Sequence, residues 1–215
     1  MSNNKFSYGT DKLTPYEAVK IAQGKISAII CDKQVKKINS SRSTIENLSK
    51  SSEIVYGVNT GFGVLCNTII SEEESNQLQE NLLRSHAVGV GKDIPNLVAK
   101  IMMVLKIHSL SLGFSGVRLQ VIQKIKFLLE KDIIPCVPIK GSVGASGDLA
   151  PLAHLSLPLL GLGEVYFKGQ KVKSEQVLKE MAWKPICLKS KEGLALLNGT
   201  QFMSAYALNT LFNAY

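Results

Sequence analysis

Several features that would point directly to a function are missing from this sequence. Its four cysteines, Cys31, Cys66, Cys136 and Cys187, lie far apart with no C-x-x-C pair, so neither a zinc knot nor a disulfide framework is expected. Three histidines, His86, His108 and His154, show no ligand spacing, and no metal centre is expected from them. Lys and Arg outnumber Asp and Glu by 25 to 17, a net charge of +8, yet no basic run exceeds Lys36-Lys37. None is interleaved with aromatics, which argues against a nucleic-acid partner. The first ten residues are polar and lack the apolar region of a signal peptide. The longest apolar run, around Leu155 to Leu162, contains Pro158 and is too short to cross a bilayer. The expectation is a soluble chain in a reducing, cytoplasmic compartment, with no membrane partner.

The apolar content, 45%, is enough for a sizeable core, and its spacing is helical through most of the chain. Thr14-Pro15-Tyr16-Glu17 and Ser71-Glu72-Glu73-Glu74 both read as capping boxes. The first predicts a helix to about Cys31, and the second a helix running towards His86. Val35 to Leu48 reads as a more polar helix. Leu97 to Leu112 is apolar nearly all round, the mark of a helix inside a bundle, with His108 as a core histidine. Ser115 is expected to cap a helix from Gly116 to Lys131, with Arg118, Lys124, Lys126 and Lys131 on its outer faces. Glu164 to Val172 reads as a hairpin turning at Lys168-Gly169, and Ser174 starts a short helix to about Trp183. Thr200 opens a final apolar helix with no stop signal before Tyr215. The expected fold is mainly α, with small β-hairpin elements. A helical region is expected over residues 1–113, and a second segment, opening the central bundle, over 114–215.

The most unusual stretch is Gly141-Ser142-Val143-Gly144-Ala145-Ser146-Gly147-Asp148-Leu149-Ala150-Pro151-Leu152, where glycine recurs every third residue. The spacing is not the G-x-G-x-x-G of a dinucleotide site, and no Gly-Lys-Ser/Thr follows. The residue two after Ser146 is Asp148, so it is not a G-x-S-x-G elbow either. Ala145-Ser146-Gly147 nevertheless has its own chemistry. If the Gly147 nitrogen closes on the Ala145 carbonyl carbon, and Ser146 loses its hydroxyl, the product is a methylidene-imidazolone (MIO), an electrophile. Each residue type has a reason: an unhindered nitrogen, a dehydratable side chain and a small residue for a compressed turn. An ordinary glycine-rich turn is the plain alternative.

Residues 141 to 154, through Leu149-Ala150-Pro151-Leu152-Ala153-His154, closely resemble the signature of the aromatic amino acid ammonia-lyases, in their histidine-acting branch. Three further stretches are similar to elements of that family. Tyr56-Gly57-Val58-Asn59-Thr60-Gly61-Phe62-Gly63 resembles its inner loop, Arg84-Ser85-His86-Ala87-Val88-Gly89-Val90-Gly91 a substrate-pocket segment, and Glu192 to Thr200 its Asn-Gly-Thr element. On the residues alone, Tyr56 is a loop aromatic, His86 a helix-end cap, Asn198 a turn residue and Asp148 a helix cap.

The resemblance implies more. It makes MIO, formed autocatalytically from Ala145, Ser146 and Gly147, the cofactor, with no metal. Tyr56 becomes the base or proton shuttle, and Asn198 orients the electrophile. His86 lines the substrate pocket, while Asp148 and Gly63 support the site. The implied reaction is non-oxidative deamination of L-histidine to trans-urocanate and ammonia, in a homotetramer that draws each active site from several subunits. Tyrosine or phenylalanine lyases and 2,3-aminomutases would share every motif. A non-catalytic remnant or partner subunit is a reading of another class, and a plain helical binding module needs none of the four elements. Family members are roughly twice as long, so the chain is expected to be an N-terminal portion that is inactive alone.

Overall fold

The computed structural model describes residues 5–63, 66–141, 147 and 149–214. Strand β1 (Phe6–Ser7) pairs in parallel with β2 (Ala28–Ile29), and α1 (Pro15–Ala22) lies between them. The predicted capping box forms: the Glu17 amide donates to Thr14 Oγ1, and the Thr14 amide donates to the Glu17 carboxylate at 2.9 Å. Helix α1 stops at Ala22 rather than Cys31, because Gly24 takes a left-handed φ of +72° that turns the chain out of the helix. Helix α2 follows as Asp32–Ser49. Helix α3 (Glu72–His86) opens on the second capping box, where Ser71 and Glu74 satisfy each other's backbone amides.

Strand β3 (Val90–Asp93) leads into α4 (Asn96–Ser111), which buries Val98, Ile101, Met102, Met103, Val104 and Ile107 completely or nearly so. Full burial of each such aliphatic side chain contributes about 1.5–3 kcal/mol, so α4 is the principal source of apolar stabilisation. It packs against α1, α2, α5 (Leu119–Glu130) and, further along the chain, α9 (Gln201–Ala214). Helix α5 begins three residues later than the sequence suggests, and Ser115 does not cap it. Gly116 has φ +68°, outside the helical region, and the amide of Arg118 is satisfied by Glu192 instead.

Strands β4 (Ile134–Pro135), β6 (Glu164–Phe167) and β7 (Gln170–Lys173) form one small antiparallel sheet; β5 (Pro138–Lys140) pairs with β3 in a separate ribbon. The β6–β7 hairpin turns at Lys168-Gly169 as predicted, both with positive φ. Between the sheets run α6 (Leu149–Ser156) and a 3-10 turn, Leu157–Leu160. Helix α7 (Ser174–Glu180) ends three residues before Trp183, and α8 (Glu192–Leu197) precedes α9. The result is the mainly helical architecture with small β elements expected from the sequence. Among the described residues one apolar cluster runs from Phe6 to Ala205.

Candidate active site

The loop around Tyr56 is held by its own asparagine. Asn59 is buried, its Nδ2 donates to the carbonyl of Glu53 at 2.7 Å, and its Oδ1 accepts from the amide of Val55 at 2.9 Å. The Val58 carbonyl accepts from Ser75 Oγ, at 3.3 Å, and from Ser190 Oγ. The three glycines therefore serve a pinned turn, which presents Tyr56 outward with its ring edge-on to Phe62 at 5.6 Å. Tyr56 is 58% exposed. Gly63 is exposed at the far end of the loop.

Helix α8 packs against loop 56–63, the middle of α3 and α6. At its first residue, Glu192 is fully buried and accepts four N–H groups: the amides of Arg118 and Lys189, and Nε and Nη2 of Arg118 at 2.9 and 2.7 Å. Arg118 is thus a buried-carboxylate partner, not the surface decoration expected of it. Arg42, from α2, reaches the Ser190 carbonyl at 3.0 Å and the Gly116 carbonyl at 3.2 Å. Gly193 meets the backbone of α3 so closely that a Cβ would sit 3.0 Å from Gln79 Cα, and Gln79 Oε1 accepts the amide of Leu194. On another side Leu194 packs on Gly57 of the tyrosine loop. Asn198 ends the helix in an extended conformation, its side chain exposed. The Asn198 and Ala195 carbonyls both accept from Lys106 Nζ of α4, at 3.0 and 3.1 Å. Burial draws Lys106 down to about 7.

Gly147 is buried against the turn that follows α8. Its φ of +107° is open only to glycine, and a Cβ would lie 3.0 Å from the Gly199 carbonyl oxygen. His86 is half-buried at the end of α3, and its Nδ1 lies 2.8 Å from the Leu82 carbonyl. That oxygen can only accept, so Nδ1 carries the proton and, in the neutral ring, Nε2 keeps its lone pair. The cap role read from the residues alone is therefore real, and it leaves one nitrogen for other chemistry. Just beyond, the Gly89 amide donates to His154 Nε2 at 3.0 Å, tying the segment after α3 to α6. Burial lowers the pKa of His154, and the Asp93 charge acts in the opposite direction.

Loop 56–63 and the middle of α3 thus pack on α8, Gly147 sits on the turn that follows it, and the end of α3 is joined to α6 through Gly89 and His154. Ala145, Ser146 and Asp148 lie outside the described residues. Among the described residues no cluster of His, Cys, Asp or Glu could hold a metal ion. Sequence reasoning passed over Lys106, the Arg118–Glu192 pair and the bond from Gly89 to His154. A lysine amid the apolar residues of α4 was the available signal for the first.

Comparison with known proteins matches residues 13–215 to the family model described as aromatic amino acid lyase. The chain belongs to this lyase family. A histidine ammonia-lyase of Shewanella sediminis (strain HAW-EB3) is 49% identical over 94% of the chain and 40% of that protein. A crystal structure of histidine ammonia-lyase from Trypanosoma cruzi superimposes with a TM-score of 0.87 at 36% identity, covering 97% of this chain and 40% of that one. The tyrosine aminomutase of Streptomyces globisporus gives the same TM-score at 32% identity, over 95% and 38% of the two chains. The chain therefore spans about 40% of the length of the lyases it matches.

Proposed function

We propose that this chain supplies the N-terminal part of a histidine ammonia-lyase, which converts L-histidine to trans-urocanate and ammonia. The observation that carries the proposal is the packing of the tyrosine loop and of α6 on α8, with Gly147 seated against the Asn198-Gly199 turn and the 84–91 segment bonded to α6 through Gly89 and His154. Histidine is preferred to tyrosine because relatives named histidine ammonia-lyase are 47–49% identical to the chain over the matched residues, and among the solved structures the histidine lyase is 36% identical against 32% for the aminomutase.

The residues present fit the proposed MIO prosthetic group. Gly147 has no side chain over its nitrogen and takes a φ that only glycine adopts readily, and the Gly199 carbonyl lies so close that any larger residue at 147 would crowd it. In the proposal Ala145, Ser146 and Gly147 become the group, Asp148 supports its formation or caps α6, and Asn198 holds it in orientation. When formed, the group supplies an electrophile that draws electron density from the substrate and lowers the barrier to elimination.

The remaining work falls to ordinary side chains. One proton must leave the substrate β-carbon, and the Cα–N electron pair must depart with the amine. Tyr56, exposed on a pinned loop, is the proposed base or relay for that proton; as phenolate it accepts, and as phenol it returns the proton to solvent or to the leaving amine. His86, with Nδ1 already committed, offers Nε2 as an acceptor for the substrate. Gly63 closes the tyrosine loop. We further infer a homo-oligomer, a tetramer by family resemblance, working in the cytoplasm without a metal.

The test is to offer L-histidine, L-tyrosine and L-phenylalanine to the protein at full natural length and to identify the products. Urocanate with equimolar ammonia, from L-histidine alone, is expected. Turnover of tyrosine or phenylalanine in its place, or a β-amino acid product, would overturn the assignment.

A further inference from the structure

Lys106 is the most unusual charged group of the chain. It lies on α4 between Leu105 and Ile107, only 2% exposed, and no carboxylate contacts it among the described residues. The cavity beside it, about 270 Å³, is lined by Phe114, Ser115, Leu194, Asn198 and a second cation, Lys191. A buried ammonium without a counter-ion is costly, and an apolar side chain of equal length would suit this helix better on stability grounds alone.

What Lys106 gains is geometry. Helix α8 has only six residues, too short to fix its own C-terminal end. Its last carbonyls have no intrahelical partner, and Lys106 bonds two of them, Ala195 and Asn198. The donor stands on the most deeply buried helix of the fold, so the turn is referenced to the rigid core rather than to the surface. Gly147 is packed on the very next residue, Gly199.

We propose that Lys106 is a positioning residue: from the core helix α4 it fixes the Asn198-Gly199 turn on which the prosthetic-group segment rests. It touches no substrate and acts only through the backbone carbonyls of Ala195 and Asn198. The proposal rests on the reading of Asn198 given above, and the two can fail separately.

The experiment compares K106M, K106R and N198A in the protein at full natural length. Peptide-level hydrogen exchange, thermal unfolding and steady-state kinetics with L-histidine are measured for each. In K106M, exchange should rise within residues 195–200 and stay unchanged in α4, while the melting temperature holds or increases. Its kcat should fall on the order of 10–100-fold with KM nearly constant. K106R, which keeps the donors, should recover most of both losses. A K106M enzyme with parental exchange at 195–200 and parental kcat would overturn the proposal. If N198A is fully active while K106M still loosens the turn, the catalytic reading of Asn198 fails and the positioning role stands. Should K106M not fold, K106Q keeps a polar donor on a smaller side chain of shorter reach. It must loosen 195–200 selectively, and uniform loosening along α4 would overturn the proposal.

Discussion

Replacing Glu192 with glutamine tests whether the buried Arg118–Glu192 pair fixes α8. The carboxylate accepts four N–H groups and has no exposed surface. Glutamine keeps one acceptor oxygen but presents an NH₂ group in place of the other. If that group replaces Oε2, it faces two donors, Arg118 Nη2 and the amide of Lys189. Two bonds to a charged group are lost, each worth about 1.5–3 kcal/mol. Arg118 is 27% exposed, so water recovers part of its hydration and the lower end of the range applies. The expected loss is about 3 kcal/mol, the size seen when one partner of a buried pair is removed. The assay is urea unfolding of parent, E192Q, R118M and the double variant. The midpoint should move at constant slope, and the cycle should show strong coupling between the two positions. A loss below about 1 kcal/mol for E192Q would refute the reasoning, by showing that α8 is held by packing alone.

Three further outcomes follow from the same geometry. Tyr56→Phe should lower kcat by about 10²–10⁴-fold, with a modest effect on KM, because the exposed phenol is the proposed proton carrier; kcat within a fewfold of the parent would make it a loop aromatic. His154 accepts the Gly89 amide only when neutral, and burial depresses its pKa. The unfolded chain then binds more protons, so stability should fall as pH drops below about 6.5, and His154→Gln should flatten that decline in unfolding free energy. Lys106, at about 7 when folded, also binds fewer protons than in the unfolded chain, and stability should rise between pH 7 and 10. Its share of that slope is at most about 1.4 kcal/mol per pH unit, and K106M should remove it in pH-dependent denaturation.

Much of this architecture was legible in local chemistry. Both capping boxes form as read, because Thr14 with Glu17 and Ser71 with Glu74 satisfy each other without help from the rest of the chain. The all-round apolarity of Leu97 to Leu112 announced the buried helix α4. Boundaries failed where a glycine left the helical region: Gly24 ends α1 early and Gly116 delays α5. Of the site, the candidate residues were legible as motifs, but what fixes them was not. Arg118 and Glu192 are 74 residues apart, and Gly89 and His154 are 65 apart. No local pattern announces such a pair, since each side chain alone reads as a surface charge or a lone histidine.

In the proposed function a self-formed electrophile at residues 145–147 carries the chemistry. The most direct measurement is the intact mass of a proteolytic peptide spanning Gly141 to His154 from the protein at full natural length, beside the same peptide from Ser146→Ala. Ring closure and dehydration each remove one water, so the parent peptide should be lighter than its unmodified sequence by about 36 Da. The alanine variant, lacking the hydroxyl, should not show that loss and should be inactive. An unmodified parent peptide from enzyme that turns over L-histidine would contradict the account.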